Sequence, residues 1–142
     1  MKMLNYLTLW ALCSMAMACS AEVKSIVSKS ELKPVLVVEG KYGNAVYFRY
    51  NTEEYPCFKI LLDKTNESKE FCRFTDEIGN TTDARTDVSA ISYEEAQFTE
   101  KGLQLVIDVS ALGPGRFFLD CAIPISNSSI GEPRCIFRDS EY

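Results

Sequence analysis

Hydrophobic and polar residues alternate most regularly along residues 103–121 of the chain. The first half of this stretch carries an apolar residue at every second position: Leu103, Leu105, Ile107 and Val109. After a turn at Pro114-Gly115, the same period continues in Phe117, Leu119 and Cys121. A period of two across a Pro-Gly break predicts two β-strands, each of which buries one face.

Shorter stretches of the same kind occur elsewhere. Residues 33–39 predict a first or edge strand, because a proline near its start loses no needed hydrogen bond there. Residues 45–50 alternate, with Val46, Phe48 and Tyr50 expected on the buried side and Tyr47 and Arg49 on the other. Further strands are predicted at 57–62, 70–74 and 134–138, a short strand followed by a turn at 88–98, and a long loop at 75–86.

Strand and turn signals together define the fold class. The pattern gives about eight short strands with frequent turn signals and no sustained helical period. We therefore predict an all-β fold, an antiparallel β-sandwich of about seven or eight strands, over residues 33–138.

The first 21 residues have the order of a secretory signal peptide. A single cation, Lys2, precedes an apolar run to about Ala18, and small residues follow. Cleavage after Ala18 would leave five cysteines and cleavage after Ala21 four, and an even number suits an oxidising compartment. We predict a signal peptide at 1–21, a flexible lead-in at 22–32 and a short tail at 139–142.

Four cysteines remain after that cleavage, which allows three pairings. Cys57 and Cys72 flank one polar turn, and Cys121 and Cys135 flank another. We predict these two disulfides, each stabilising the fold by about 3 kcal/mol in the loop-entropy account. The chain has no histidine and no close C-x-x-C pair, so no zinc site is predicted. The acidic residues Asp76, Glu77, Asp83 and Asp87 match no calcium-ligand spacing, so we predict no other metal site.

Three N-x-[ST] sequons lie in predicted loops, at Asn66, Asn80 and Asn127. A glycan is bulky and needs a surface position, which a loop provides. Together with the leader, the sequons predict a secreted, extracellular glycoprotein.

Several function classes fit the composition poorly. Without histidine the usual general base is missing, no glycine-rich phosphate loop occurs, and no carboxylate pair stands out, so we predict neither an enzyme nor a cofactor. The net charge is −5 and no basic run interrupts the acidic balance, which argues against binding to nucleic acid or anionic membranes. After residue 21, no apolar run is long enough for a membrane span.

Two motifs follow each other in the chain: Leu103-x-Leu105-x-Ile107 and then Gly115-x-Phe117-x-x-x-Cys121. Together they resemble the E–F region of immunoglobulin-like domains, and residues 40–50 resemble strand B of that family. The chain departs from the family pattern at Phe117, which replaces a tyrosine, and in the missing cysteine of strand B. The resemblance implies an immunoglobulin-like sandwich that binds another protein through its loops or an exposed sheet face.

Two functions remain open. The first is a binding module for an extracellular or cell-surface protein, with contact residues predicted at Tyr42, Tyr47, Arg49 and Tyr55, because tyrosine and arginine are enriched in interfaces. The second is a carrier of an apolar small molecule between the two sheets, similar to MD-2-related lipid-recognition proteins. A secreted inhibitor or toxin is equally compatible with the pattern. The sequence predicts neither the partner's identity nor the oligomeric state.

Overall fold

The computed structural model describes residues 32–40 and 45–138. The predicted signal peptide, nearly all of the lead-in, the tail and Tyr42 lie outside these residues. Ten strands occur within the described residues: β1 Leu36–Glu39, β2 Ala45–Arg49, β3 Phe58–Leu62, β4 Glu67–Phe71, β5 Arg73–Thr75, β6 Thr81–Asp83, β7 Val88–Thr99, β8 Gly102–Ala111, β9 Arg116–Pro124 and β10 Arg134–Phe137.

Two antiparallel sheets of four strands make up most of the fold. Sheet 1 has the order β1-β2-β3-β4 and sheet 2 the order β10-β9-β8-β7, while β5 and β6 form a separate hairpin. In both large sheets each strand pairs with its neighbour in sequence, and every pairing is antiparallel. The predicted all-β, antiparallel class is therefore confirmed.

The region predicted as a long loop, 75–86, contains part of the β5–β6 hairpin, which raises the number of strands above seven or eight. Its turn is closed by the Asp76 carboxylate, which accepts hydrogen bonds from the backbone N–H groups of Ile78 at 3.0 Å and Asn80 at 2.8 Å. Such an Asx turn favours a hairpin without any apolar pattern, so hydrophobic periodicity does not reveal it.

Residues 88–98 also differ from the prediction, because they form one long strand rather than a strand followed by a turn. At the Glu-Glu-Ala-Gln segment the register of the pairing between β7 and β8 shifts between Glu94 and Gln97, and Glu95 there has a φ of 51°. Pairing with β8 along its whole length outweighs the helical preference of these residues.

The two sheets pack face to face through aromatic side chains. The rings of Phe58 in sheet 1 and Tyr93 in sheet 2 lie 5.0 Å apart at 75°. The Tyr93 hydroxyl donates a 2.6 Å hydrogen bond to the Pro56 carbonyl, which satisfies the buried phenol. The largest fully buried side chains also include Tyr47, Phe74, Ile60, Leu62, Leu103, Ile107 and Leu119.

Both predicted disulfides are present. Cys57 and Cys72 link the residue before β3 to the residue after β4, with a Cα–Cα distance of 4.6 Å. Cys121 and Cys135 lie directly opposite each other in β9 and β10, with a Cα–Cα distance of 4.1 Å.

The two strands that resemble the E–F region, β8 and β9, are hydrogen-bonded neighbours in sheet 2. In immunoglobulin domains, strands E and F belong to opposite sheets. The Pro114-Gly115 segment accounts for the difference, because it closes a tight turn in which Ala111 N–H donates to the Gly115 carbonyl at 3.0 Å. The pairing of β8 with β9 therefore does not match the E–F arrangement that the two motifs resemble. The immunoglobulin-like type of sandwich stays a prediction.

Candidate binding surface

Strand β2 faces the opposite way from the prediction. Tyr47, predicted as an exposed contact residue, is 0 % exposed and packs against Phe58 with ring centroids 5.4 Å apart. Val46 and Phe48 lie on the outer side instead, half-buried. Both sides of β2 carry large apolar groups, so alternation alone does not decide which side faces the core.

The other predicted contact residues lie in different environments. Arg49 is half-buried, and its guanidinium donates a 2.7 Å hydrogen bond to the Tyr93 carbonyl, which ties the two sheets together. Arg49 therefore has a structural contact inside the fold. Tyr55 is half-buried and lies in the loop between β2 and β3, next to the outer side of sheet 1.

Four apolar side chains form a patch on the side of sheet 1 away from the core, one of them exposed and three half-buried: Val37, Val46, Phe48 and Leu61. Val37 lies opposite Phe48 across β1 and β2, and Val46 lies opposite Leu61 across β2 and β3. Val37 is 47 % exposed although it belongs to a paired strand. We call this patch, with the aromatic cluster beside it, outer face 1.

The aromatic cluster consists of Tyr50, Tyr55, Lys59 and Glu70. The two tyrosine rings meet edge to face at 5.0 Å, and the Lys59 ammonium lies 5.4 Å from the Tyr55 ring centroid. The Tyr55 hydroxyl donates to the Glu70 carboxylate, and Lys59 forms an ion pair with the same carboxylate at 4.0 Å. These contacts hold amphipathic rings in place at the surface before any partner arrives, which reduces the entropy lost on binding.

Electrostatics adds to this arrangement. Partial burial, and next the negative charge of Glu70, raises the pKa of the Tyr50 hydroxyl above its usual value. Among the described residues of strands β1 to β4 on this side of sheet 1, two exposed carboxylates, Glu39 and Glu70, accompany one ammonium, that of Lys59. The rim of this face is therefore weakly acidic.

The opposite side of the molecule, outer face 2, is the side of sheet 2 away from the core. Two ion pairs lie on it: Arg116 donates to Asp108 at 2.9 Å, and Arg138 binds Asp120 at 2.7 Å, while Ile136 on the edge strand β10 stays exposed. Val106 points outward between these pairs and is nevertheless only 5 % exposed. The Arg116 guanidinium lowers the pKa of Asp108 chiefly by its hydrogen bonds, which keeps this pair ionised near neutral pH.

The three sequons lie in the connections between strands. Asn66 is in the β3–β4 turn with a φ of 56°, a conformation that asparagine tolerates. Asn80 lies in the β5–β6 turn and Asn127 between β9 and β10, and all three are exposed. Their accessibility is compatible with the predicted glycans.

One group of possible metal ligands comes together among the described residues: Cys57, Glu70 and Cys72. The two sulfur atoms are bonded to each other, so they offer no thiolate to a metal. Within the same residues, no helix has the length and apolar character needed to cross a membrane.

Comparison with known proteins identifies no relative: no protein family, no curated protein and no solved structure matches this chain. The function is therefore argued from the residues of outer face 1. Sequence reasoning located Tyr55 but missed Phe48 and Leu61. The available signal was an apolar residue on both sides of β2 and β3, which is typical of strands with two contact faces.

Proposed function

We propose that this chain is a secreted glycoprotein that binds an extracellular or cell-surface protein through outer face 1. The observation that carries the proposal is the partly exposed apolar patch on sheet 1 with the two contacting tyrosines beside it. Apolar surface patches with aromatic residues are characteristic of protein-binding sites.

The partner is defined by chemistry complementary to this face. Val37, Phe48 and Leu61 fit an apolar patch on another protein, and the acidic rim fits lysine or arginine side chains around that patch. Opposite charges at a rim accelerate association more than they strengthen the complex. Association should therefore slow as salt concentration rises, while dissociation changes little.

Secretion and glycosylation are supported by the leader, the three exposed sequons and the two disulfides. Disulfides persist mainly in oxidising compartments such as the extracellular space. The proposal does not depend on whether the sandwich is of the immunoglobulin-like type.

The alternative function, a carrier of an apolar small molecule between the sheets, needs space in the interior. That interior is occupied where Tyr47, Phe58 and Tyr93 pack at ring distances of 5.4 and 5.0 Å. A ligand would have to displace side chains that are packed as in an ordinary core. We therefore prefer the protein-binding function.

A matched pair of variants tests the proposal. Val37 and Ile136 are exposed by 47 % and 55 %, lie on edge strands and belong to outer faces 1 and 2, respectively. Glycosylated wild type, Val37→Arg and Ile136→Arg are used to capture serum and cell-surface proteins, and the captured species are quantified by mass spectrometry. Both variants add the same charge, so only its position differs.

We expect Val37→Arg to reduce capture of a specific protein by about tenfold, because a charge is then placed within the apolar patch, opposite Phe48. Ile136→Arg should capture the same protein as the wild type does. Equal capture by all three proteins, or a loss confined to Ile136→Arg, would contradict the proposal.

A further inference from the structure

A groove of about 260 Å³ lies at the end of the fold where β2 begins and β7 ends. Its apolar lining comes from Ala45, Phe98 and Ile125, and Asn127 lies at its edge. Phe98 is half-buried, so its ring packs against the core while part of it remains accessible. A sequon asparagine is thus part of the wall of a groove that combines an aromatic ring with polar groups.

Two glycines make the groove possible. Gly102 has a φ of 145°, and a Cβ there would lie 2.0 Å from the Ile123 carbonyl oxygen, so no other residue fits. A Cβ at Gly40 would lie 3.0 Å from the Phe98 ring, so a larger residue would press on that ring. The backbone therefore approaches Ile123 closely at Gly102 and the Phe98 ring closely at Gly40.

The loop that carries Asn127 is held in a fixed conformation. Ser126 N–H donates to the Ser129 carbonyl at 2.9 Å, and the two hydroxyl groups of these serines lie 2.9 Å apart. These bonds close a turn around Asn127. An attached sugar would consequently begin from a defined position beside the groove.

We propose that the first N-acetylglucosamine of a glycan on Asn127 packs into this groove against Phe98. The inference builds on the glycoprotein part of the proposed function. A pyranose has an apolar C–H face and a polar rim of hydroxyl groups, which match the ring of Phe98 and the polar groups of Thr99 and Glu100. The covalent link makes the contact intramolecular, so even weak packing is populated.

The other two sequons provide internal controls, because neither Asn66 nor Asn80 lines the groove. The Asn80 glycan is removed with Asn80→Gln. The Asn66 glycan is removed with Ser68→Ala, since Asn66 has a positive φ and its replacement would add backbone strain. Site occupancy is measured by mass spectrometry, and thermal unfolding is followed for each glycosylated protein.

We expect Asn127→Gln to lower Tm by about 3 °C or more, and the two control variants to lower it by about 1 °C or less. Trimming every glycan to a single N-acetylglucosamine should preserve the wild-type Tm, because only the first sugar contacts the groove. In unglycosylated protein, Asn127→Gln should leave Tm unchanged, which separates the glycan from the side chain.

A second variant tests the contact with Phe98 directly, because Asn127→Gln could also change Tm through the conformation of its loop. Phe98→Leu removes the ring face, and in this background Asn127→Gln should cause no further decrease in Tm, as a double-mutant cycle requires for groups in contact. Equal shifts for all three sequon variants, or an Asn127→Gln effect that persists in Phe98→Leu, would overturn the inference while the glycoprotein assignment stands. Unoccupied sequons would overturn both.

Discussion

The two outer faces of this molecule share the same sheet architecture but differ in the side chains that they expose. Each is the solvent side of a four-stranded antiparallel sheet. On outer face 2 Val106 is buried beside two arginine–carboxylate pairs, whereas on outer face 1 Phe48 and Leu61 are half-buried and no arginine–carboxylate pair occurs among the described residues of that face. Each face also has one well-exposed apolar residue on its edge strand, Val37 on outer face 1 and Ile136 on outer face 2.

The residues that stabilise the fold are different from the residues that we propose to bind a partner. Exposed ion pairs contribute little free energy, so the arginine–carboxylate pairs of outer face 2 add little to the stability of the fold. Residues that stabilise the fold lie between the sheets. Substitutions on outer face 1 should therefore affect binding, and substitutions in the interior should affect unfolding.

The largest difference in stability is expected between substitutions of Tyr47 and Phe48, which are adjacent in β2 but face opposite sides of sheet 1. Tyr47→Ala leaves a cavity in the core and should reduce the free energy of unfolding by about 3–5 kcal/mol. Phe48→Ala, on outer face 1, should reduce it by about 1 kcal/mol or less. Urea unfolding measures both values, and a larger loss for Phe48→Ala would reverse our assignment of the two sides.

Removal of the disulfides should have the next largest effect and should be equal for the two bonds. The bonded cysteines are separated by 15 and 14 residues, so in the loop-entropy account each double serine variant loses about 3 kcal/mol. Thermal unfolding of the Cys57/Cys72 and Cys121/Cys135 double variants measures this loss. If reduction of the native protein leaves its unfolding midpoint unchanged, the disulfides do not stabilise the fold.

A smaller change, of opposite sign, is expected for Tyr47→Phe. The Tyr47 hydroxyl is buried without a hydrogen-bond partner among the described residues, and burial raises the pKa of this group, so it stays neutral. Removal of an unsatisfied polar atom should stabilise the protein by about 1 kcal/mol. Tyr93→Phe is the matched control, because it removes a hydroxyl that does have a partner and should destabilise. Destabilisation by both variants would show that the Tyr47 hydroxyl is bonded.

The smallest effect concerns pH and outer face 2. Arg116 lowers the folded-state pKa of Asp108, so the stabilisation from this pair is complete above the unfolded-state pKa, about 4, and is lost as pH falls below it. Asp108→Asn should therefore flatten the loss of stability between about pH 5 and pH 2 slightly and leave protein capture by outer face 1 intact. An unchanged pH profile would show that this pair does not contribute.

The sequence predicts the parts of the fold whose two faces differ in polarity. Along β8, Leu105 and Ile107 alternate with Gln104 and Asp108, so the inward side and the strand bounds follow directly. In β2 apolar residues occupy both sides, and the choice depends on which side Phe58 and Tyr93 can reach across the core. Pattern reasoning has no access to such long-range packing.

The candidate site was predictable only in part for the same reason. Tyr55 follows from the enrichment of tyrosine in interfaces, but its contacts with Lys59 and Glu70 depend on the pairing of β3 with β4. The β5–β6 hairpin escaped prediction because Asp76 closes it with polar contacts instead of an apolar pattern. Hydrogen bonds between polar residues that are close in sequence do not change the spacing of apolar residues, so hydrophobic periodicity does not reveal them.

Site-specific photo-cross-linking tests the central claim most directly. Leu61 on outer face 1 and Ile136 on outer face 2 are replaced one at a time by a photoreactive phenylalanine analogue, and the glycosylated proteins are irradiated with serum and intact cells. The account predicts that position 61 yields a defined cross-linked protein whose formation is reduced by excess wild type and not by Val37→Arg. Cross-linking of that same protein from position 136, with none from position 61, would contradict it.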